Sequence, residues 1–254
     1  MANVLIVLAH PETTTFTAEW ARASEQAFRD LGHEVVWSDL CSMAFDPVER
    51  RGHYAGDLPS GPFDVLRVQE QAAAAGMLPG DVAAEIDKVR RADRIVFHFP
   101  IWWFSPPAIL KGWCERVLAH GALHSVDERF DRGMGRGKRV LFCVTTGSRA
   151  SESAFNGKEG DVEMLLWPLA YVFRYLGMTV LRLKVVHGVH GYHRGSREVE
   201  LRERLRGVLA AHKDLVGRFD ELPVMAFNSD DEFDEQGRLK AGAESYSGFI
   251  RHGG

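Results

Sequence analysis

Cysteine is scarce in this 254-residue chain, and the three present, Cys41, Cys114 and Cys143, are far apart with no ligand-like spacing. An odd, scattered set argues against a disulfide framework and against a zinc centre, so no metal is expected. Cys143, inside the run Val140-Leu-Phe-Cys-Val144, reads as a small core residue. An excess of charge of one sign is missing too. A formal net charge of −4 and a pI near 6.3 provide no basic field for nucleic acid or anionic lipid, and no charge run is long enough for a tail. Long apolar runs are absent as well. Met1-Ala-Asn-Val-Leu-Ile-Val-Leu-Ala9 has no basic region before it and stops at His10-Pro11, too short to span a bilayer. It reads as a strand of a cytoplasmic protein with no stable membrane insertion. No internal repeat or low-complexity tract occurs.

What is present is enough apolar content, 45%, to bury one large core without staples. Four short apolar runs, residues 4–9, 94–99, 139–145 and 179–186, are rich in β-branched or aromatic side chains and bounded by polar or turn residues. A shorter fifth, 34–38, follows Gly32. Such runs are what strands buried on both faces require. Helical patterns at 17–31, 109–118, 162–176 and the strongly charged 196–219 alternate with them, with Ser196 as an expected N-cap and Gly177 as a C-cap. The alternation predicts an α/β doubly wound, five-stranded parallel sheet with helices on both faces. Residues 41–80, with Pro47, Pro59 and Pro62 and one helical stretch at 65–75, read as a long excursion over the sheet edge. After Pro223 the chain turns polar. The division expected is a domain over 1–222 and a C-terminal arm over 223–254 that packs on the domain or on a partner subunit.

In such sheets ligands bind beyond the carboxyl ends of the strands, where the strand order reverses. Three ends carry unusual residues. Ala9-His10-Pro-Glu-Thr-Thr-Thr-Phe16-Thr17 places hydroxyls and N–H groups at a helix N-terminus, a ready anion site, and contains neither a dinucleotide nor a phosphate-loop glycine pattern. The lesser alternative is that the threonines merely cap the helix. Phe99-Pro-Ile-Trp-Trp-Phe104, followed by Ser-Pro-Pro107, puts three large aromatics on a strand end, where they either cover something flat, such as a planar cofactor, or belong to the core or a dimer contact. Thr145-Thr-Gly147-Ser148 offers close backbone approach and successive N–H groups for a polarised ring edge.

Together, Leu8-Ala-His10, Ser38-Asp-Leu40, Phe99-Pro-Ile-Trp-Trp-Phe104, Pro107-Ala-Ile-Leu-Lys-Gly-Trp113 with Glu115-Arg116, Thr145-Thr-Gly147, Gly160-Asp161 and Leu166-Trp-Pro168 resemble the NAD(P)H:quinone oxidoreductases of the DT-diaphorase type. The resemblance runs to about Phe219. It implies a flavodoxin-like fold with strand order 2-1-3-4-5 and a bound flavin, FAD or alternatively FMN. It also implies NADPH or NADH as donor, a quinone-like small-molecule acceptor, ping-pong turnover, and a homodimer with its sites at the interface. Carried over by position, His10, Phe16 and Thr17 contact the flavin's phosphate and ribityl chain. Ile101, Trp102, Trp103, Phe104, Thr145, Thr146, Gly147 and Ser148 cradle the ring. Asp64 and Arg197 serve the adenylate and diphosphate half.

The chain also departs from that pattern. The Tyr and His that handle the reduced flavin's charge in animal members fall on Ser153 and Glu159, with Phe155 two residues from the Tyr position. Neither change is conservative, which shifts the expected catalytic burden to the backbone of Thr146 and Gly147, with Ser153 as a donor. Glu159 would oppose negative charge unless paired with Lys158 or Arg149, turned away, or raised in pKa. Two tyrosines of the acceptor wall fall on His124 and Val126, and His124 is either a general acid or a solvent-facing loop residue. The competing expectation is a flavin-binding regulatory subunit of a membrane transporter, with a flavodoxin-type electron carrier behind it.

Overall fold

The computed structural model describes residues 1–55 and 61–253; residues 56–60, which include Pro59, and Gly254 lie outside the described residues. Five runs enter one parallel sheet: the three central ones are apolar and covered from both sides, whereas the edge run 34–39 leaves Val36 exposed. β1 (Asn3–Leu8) lies between β2 (Glu34–Asp39) and β3 (Arg94–Pro100), β4 (Arg139–Thr145) and β5 (Thr179–Val180) follow, and the order is β2-β1-β3-β4-β5. Alternation along the strands divides their side chains. Leu5, Val7, Phe97, Phe99, Phe142 and Val144 face α3 (Gly80–Arg91), α4 (Ala108–Val117) and α5 (Val162–Tyr175), where Ile86, Trp113 and Phe173 meet them. Val4, Ile6, Leu8, Val96, Leu141 and Cys143 face α1 (Phe16–Asp30) and α6 (Ser196–Gly217) through Trp20, Phe28 and Val216. α2 (Val65–Ala75) caps a small separate cluster with Tyr54.

Three features differ from the sequence expectation. The run at 179–186 is not one strand. β5 (Thr179–Val180) and β6 (Lys184–Val186) both pair with β4, but three residue steps from Val140 to Cys143 oppose four from Val180 to Lys184, so one extra residue bulges out. There the edge turns to the arm: Arg182 N–H donates to the Pro223 carbonyl at 2.7 Å and Met225 N–H to that of Val180 at 2.9 Å. Second, α3 was not expected; Val82, Glu85, Ile86 and Val89 form its buried seam, and a glutamate at the second position hides the apolar period. Glu85 is fully buried, held by Lys88 Nζ at 2.6 Å and Trp113 Nε1 at 2.8 Å. Third, Ser196 is the first helical residue of α6 rather than its cap; Gly195, at φ 63°, occupies that place with no side-chain cap bond. Gly177, at φ 81°, follows the C-cap Leu176 of α5.

The arm packs on its own chain. Phe249 stacks on Trp167 of α5 at 5.0 Å, Trp167 stacks on Tyr171 at 4.3 Å, and Arg174 Nη2 donates to the Asn228 carbonyl at 2.9 Å.

Beneath the first strand end lies a polar chain whose proton positions follow from its donors. Trp20 Nε1–H can only donate, and it does so to His212 Nδ1 at 2.9 Å. The His212 proton therefore sits on Nε2 and points to Ser24 Oγ at 2.6 Å, so the Ser24 hydroxyl donates to His98 Nε2 at 2.9 Å. That leaves the His98 proton on Nδ1, buried with no partner among the described residues. Burial pushes His98 well below the ordinary histidine range and His212 down to about 4, both from 6.5. Below pH 6.5 the unfolded chain takes up protons that the folded chain refuses, so this stability is complete above pH 6.5 and is lost as pH falls toward the folded pKa. The loss attributable to His212 reaches on the order of 3 kcal/mol by pH 4. Urea midpoints should be level from pH 8 to 7 and drop steadily from pH 6.5 to 4.5; a flat profile across that window would contradict the neutral chain.

Candidate active site

The carboxyl ends of β1, β3 and β4 adjoin at the reversal of strand order, with Leu8 opposite His98 and Pro100 opposite Thr145. After β1 the loop folds on itself. Glu12 N–H donates to His10 Nδ1 at 3.0 Å, and the Glu12 carboxylate accepts from the N–H and hydroxyl of Thr14 at 3.0 and 2.9 Å, which hold its pKa down. Desolvation holds His10 below its ordinary range despite Glu12. Thr15 is the N-cap of α1, accepting from Ala18 N–H at 3.4 Å. Phe16 and Thr17 are then the first two helical residues, whose N–H groups have no acceptor within a helix. The Thr17 side chain is buried and shares a 3.0 Å hydrogen bond with Thr145 Oγ1, so it braces α1 against the end of β4.

After β3 the chain makes a tight reversal. Trp102 and Ser105 exchange backbone bonds of 3.0 and 3.1 Å across the pair Trp103-Phe104, which has φ of 49° and 61°. Two consecutive left-handed residues are normally glycine or asparagine, because a Cβ there costs roughly 1–2 kcal/mol per residue. Bulky aromatics held in this way, with Trp103 93% exposed, mark strain kept at a functional surface. Trp102 closes back on His10, ring centres 5.7 Å apart, and Ile101 N–H donates to the Thr145 carbonyl at 2.8 Å.

After β4, Thr146 N–H donates to Val186 O at 3.1 Å and Gly188 N–H to Ser148 O at 2.9 Å, which fixes the turn against β6. A cavity of about 490 Å³ forms here, lined by Ile101, Trp103 and Phe104 together with Thr146, Gly147, Ser148 and Ser153. Glu159 also lines it. Lys158 pairs with Glu152 at 3.3 Å, not with Glu159, and Glu159 has no ion pair among the described residues. Trp103 also borders a more apolar cavity of about 590 Å³ that includes Trp102, Pro107, Pro168 and Val172. Aromatic side chains and a row of hydroxyls about one cavity suit a flat, hydrogen-bonding heterocycle.

The structure thus gathers Ile101, Trp103, Phe104, Thr146, Gly147, Ser148, Ser153 and Glu159 about one cavity, with His10 and Trp102 alongside. It leaves four other expected residues elsewhere. Arg197 lines a separate cavity of about 440 Å³ with Arg149, Arg204, His193 and the carboxylate-bearing Glu200, adjoining Gly188. Sequence reasoning missed this cluster of three arginines, although the i, i+7 spacing of Arg197 and Arg204 lies on one helix face. Asp64 is the N-cap of α2, accepting from Arg67 N–H at 3.3 Å. Beside that helix start a cavity of about 410 Å³ is bordered by Val65, Gln69, Glu115, His124 and Tyr175. His124 packs 5.1 Å from His120 and 5.3 Å from Tyr175, and desolvation with the nearby His120 lowers its pKa. It is therefore a half-buried neutral ring at pH 7, not a solvent-facing one. Val126 is exposed.

A sheet of this order carrying an aromatic-and-hydroxyl cavity at its switch point defines a doubly wound α/β protein with its candidate ligand site beyond the carboxyl ends of the central strands. The flavodoxin-like fold family matches residues 2–209. The chain is 37% identical over 189 residues to rat NAD(P)H dehydrogenase [quinone] 1, covering 74% of this chain and 69% of that one. It is 35% identical over 202 residues to mouse ribosyldihydronicotinamide dehydrogenase [quinone], covering 78% and 87%. The crystal structure of a Klebsiella pneumoniae protein assigned as a quinone reductase superposes with a TM-score of 0.83 at 27% identity over 96% of this chain and 97% of that one. This chain belongs to the flavodoxin-like NAD(P)H:quinone oxidoreductase family.

Proposed function

We propose that the protein is a flavin-dependent NAD(P)H:quinone oxidoreductase, carrying two electrons from NADPH or NADH to quinone-like acceptors by ping-pong turnover. The observation that carries this reading is the strained Trp103-Phe104 reversal facing the Thr146-Gly147-Ser148 turn across a single cavity. A flavin held there would supply the hydride chemistry between donor and acceptor. The chain's own residues do the rest. Trp103 and Phe104 offer a planar wall, and the Gly147 N–H offers a donor to the ring edge with Ser153 in support; the Thr146 N–H, expected to share that work, is already given to Val186 O at 3.1 Å. His10 and the first N–H groups of α1 take the phosphate.

FAD suits the chain better than FMN, because three guanidinium groups, Arg149, Arg197 and Arg204, against the single carboxylate of Glu200, line a cavity just past Ser148, where a second phosphate needs cations. Asp64, His124 and Val126 stand apart from the ring cavity within one chain, and a homodimer with sites at the interface gives them a role toward the partner's ring. As for location, no described helix is long and apolar enough to cross a membrane, and a cytoplasmic setting suits the unpaired Cys41, Cys114 and Cys143.

The test is an anaerobic visible spectrum with FAD or FMN, before and after one equivalent of NADPH or NADH, and again after a benzoquinone. Bleaching followed by recovery supports the reading; bound flavin that stays oxidised turns it toward the transporter-subunit alternative. A substitution separates fold from function here. Trp103→Gly should raise the thermal stability of the flavin-free protein by roughly 1 kcal/mol through relief of the left-handed backbone. It should also weaken flavin affinity about tenfold through loss of the stacking surface. Tighter flavin binding by this variant would remove Trp103 from the site.

A further inference from the structure

The loop that lacks the family's Tyr and His holds a continuous row of hydroxyls instead. Thr146 Oγ1 lies 2.9 Å from Ser148 Oγ, and Ser148 Oγ makes a still closer hydrogen bond to Ser153 Oγ. The ends are anchored by backbone. Ser148 N–H donates to Thr146 Oγ1 at 3.3 Å, Ser153 N–H donates to the Arg149 carbonyl at 3.1 Å, and the Ser153 carbonyl accepts from Val162 N–H at 3.2 Å, at the start of α5. Ser153 and Thr146 are buried, yet all three residues border the ring cavity.

From this we infer that Thr146, Ser148 and Ser153 form a reversible hydroxyl chain that sets how strongly the site holds the reduced form of its cofactor; the inference rests on the flavin reading above. In both links either oxygen can be the donor, so the chain has two proton arrangements. In one, Ser153 donates to Ser148 and Ser148 to Thr146, which leaves the Thr146 O–H to donate into the cavity. In the other, Thr146 donates to Ser148 and Ser148 to Ser153, and Thr146 presents only a lone pair. The three hydroxyls turn together, and no proton leaves the chain. A negatively charged ring edge selects the first arrangement, a protonated edge the second. Each donor strengthens the next, so the chain answers as a unit.

Charged side chains do not supply this answer. The lysine at the cavity is taken by Glu152, and Glu159 adds a carboxylate. A neutral donor chain that changes direction can offset developing negative charge without a cation. Ser153 thus acts on the cofactor through Ser148 and Thr146 as a positioning residue.

The test uses the full chain reconstituted with FAD, as wild type, Ser148→Ala, Ser153→Ala, the double variant and Ser153→Thr. Fluorescence quenching gives the affinity for oxidised FAD, and dye equilibration gives the midpoint potential. Each alanine variant should bind oxidised FAD within about twofold of wild type. Each should also hold the reduced form about tenfold less well, a potential lower by about 30 mV for two electrons. The double variant should match the single ones, and Ser153→Thr should return most of the shift. An unchanged potential, equal losses in both oxidation states, or additive shifts in the double variant would each overturn the chain. Failure of the wild type to bind either FAD or FMN would instead remove the flavin reading, and the inference with it.

Discussion

Arg116→Ala will destabilise the fold by about 4 kcal/mol, a large part of the stability of a domain of this size. The guanidinium is almost wholly buried, with Nη1 and Nη2 at 2.7 and 3.3 Å from the two Asp81 oxygens, and Nη1 also 2.8 Å from the Asp46 carbonyl. Its Cζ lies over the Phe45 ring, 5.1 Å from the ring centre. Truncation removes four α3–α4–loop contacts together and strands the Asp46 carbonyl. Lysine cannot reproduce the fork or the stacking, so Arg116→Lys should recover less than half of the loss. Urea midpoints at constant m-value measure both; a loss under 1 kcal/mol for alanine would mean that solvent replaces the fork.

Gly112→Ala should be the other severe change, at roughly 3 kcal/mol. A Cβ at Gly112 would sit 2.1 Å from the Pro47 carbonyl oxygen and 2.6 Å from Pro47 Cα, backbone atoms that cannot swing aside. Gly112 and Arg116 are one helical turn apart on α4, and both face the 45–47 loop. Their substitutions should therefore be strongly non-additive, since the first already displaces the loop that the second holds. Gly207 is the control of opposite sign. It lies inside α6 with nothing within 4 Å of a Cβ, so Gly207→Ala should stabilise by about 1 kcal/mol. Since α4 begins directly after the aromatic reversal, Gly112→Ala is also expected to weaken flavin retention.

The site was legible where chemistry follows from local spacing. Phe99-Pro-Ile-Trp-Trp-Phe104 and Thr145-Thr-Gly-Ser148 each lie within one strand end, and strand ends are where a parallel sheet collects its ligands. The sequence did not reveal that Ser148 links Ser153 to Thr146, because a hydroxyl chain depends on loop closure and not on residue order. Nor did it separate Arg197, Asp64 and His124 from the ring cavity. Those residues were placed by resemblance, and their distance from Trp103 within one chain is a matter of how helices stack.

The apolar runs by themselves determined the parallel sheet, since strands covered on both faces must be apolar on both, and the interrupting polar loops determined which ends could bind. Only the tertiary structure decided the rest. Glu85 sits in a helix seam because Lys88 and Trp113 neutralise and bond it, which no local period reveals. The edge strand bulges where Pro223 and Met225 take over its hydrogen bonds, and Phe249 folds back on Trp167 across 82 residues of chain. Local pattern records which face of an element is buried. What buries it, and which polar groups compensate each other there, is set by partners far apart in sequence.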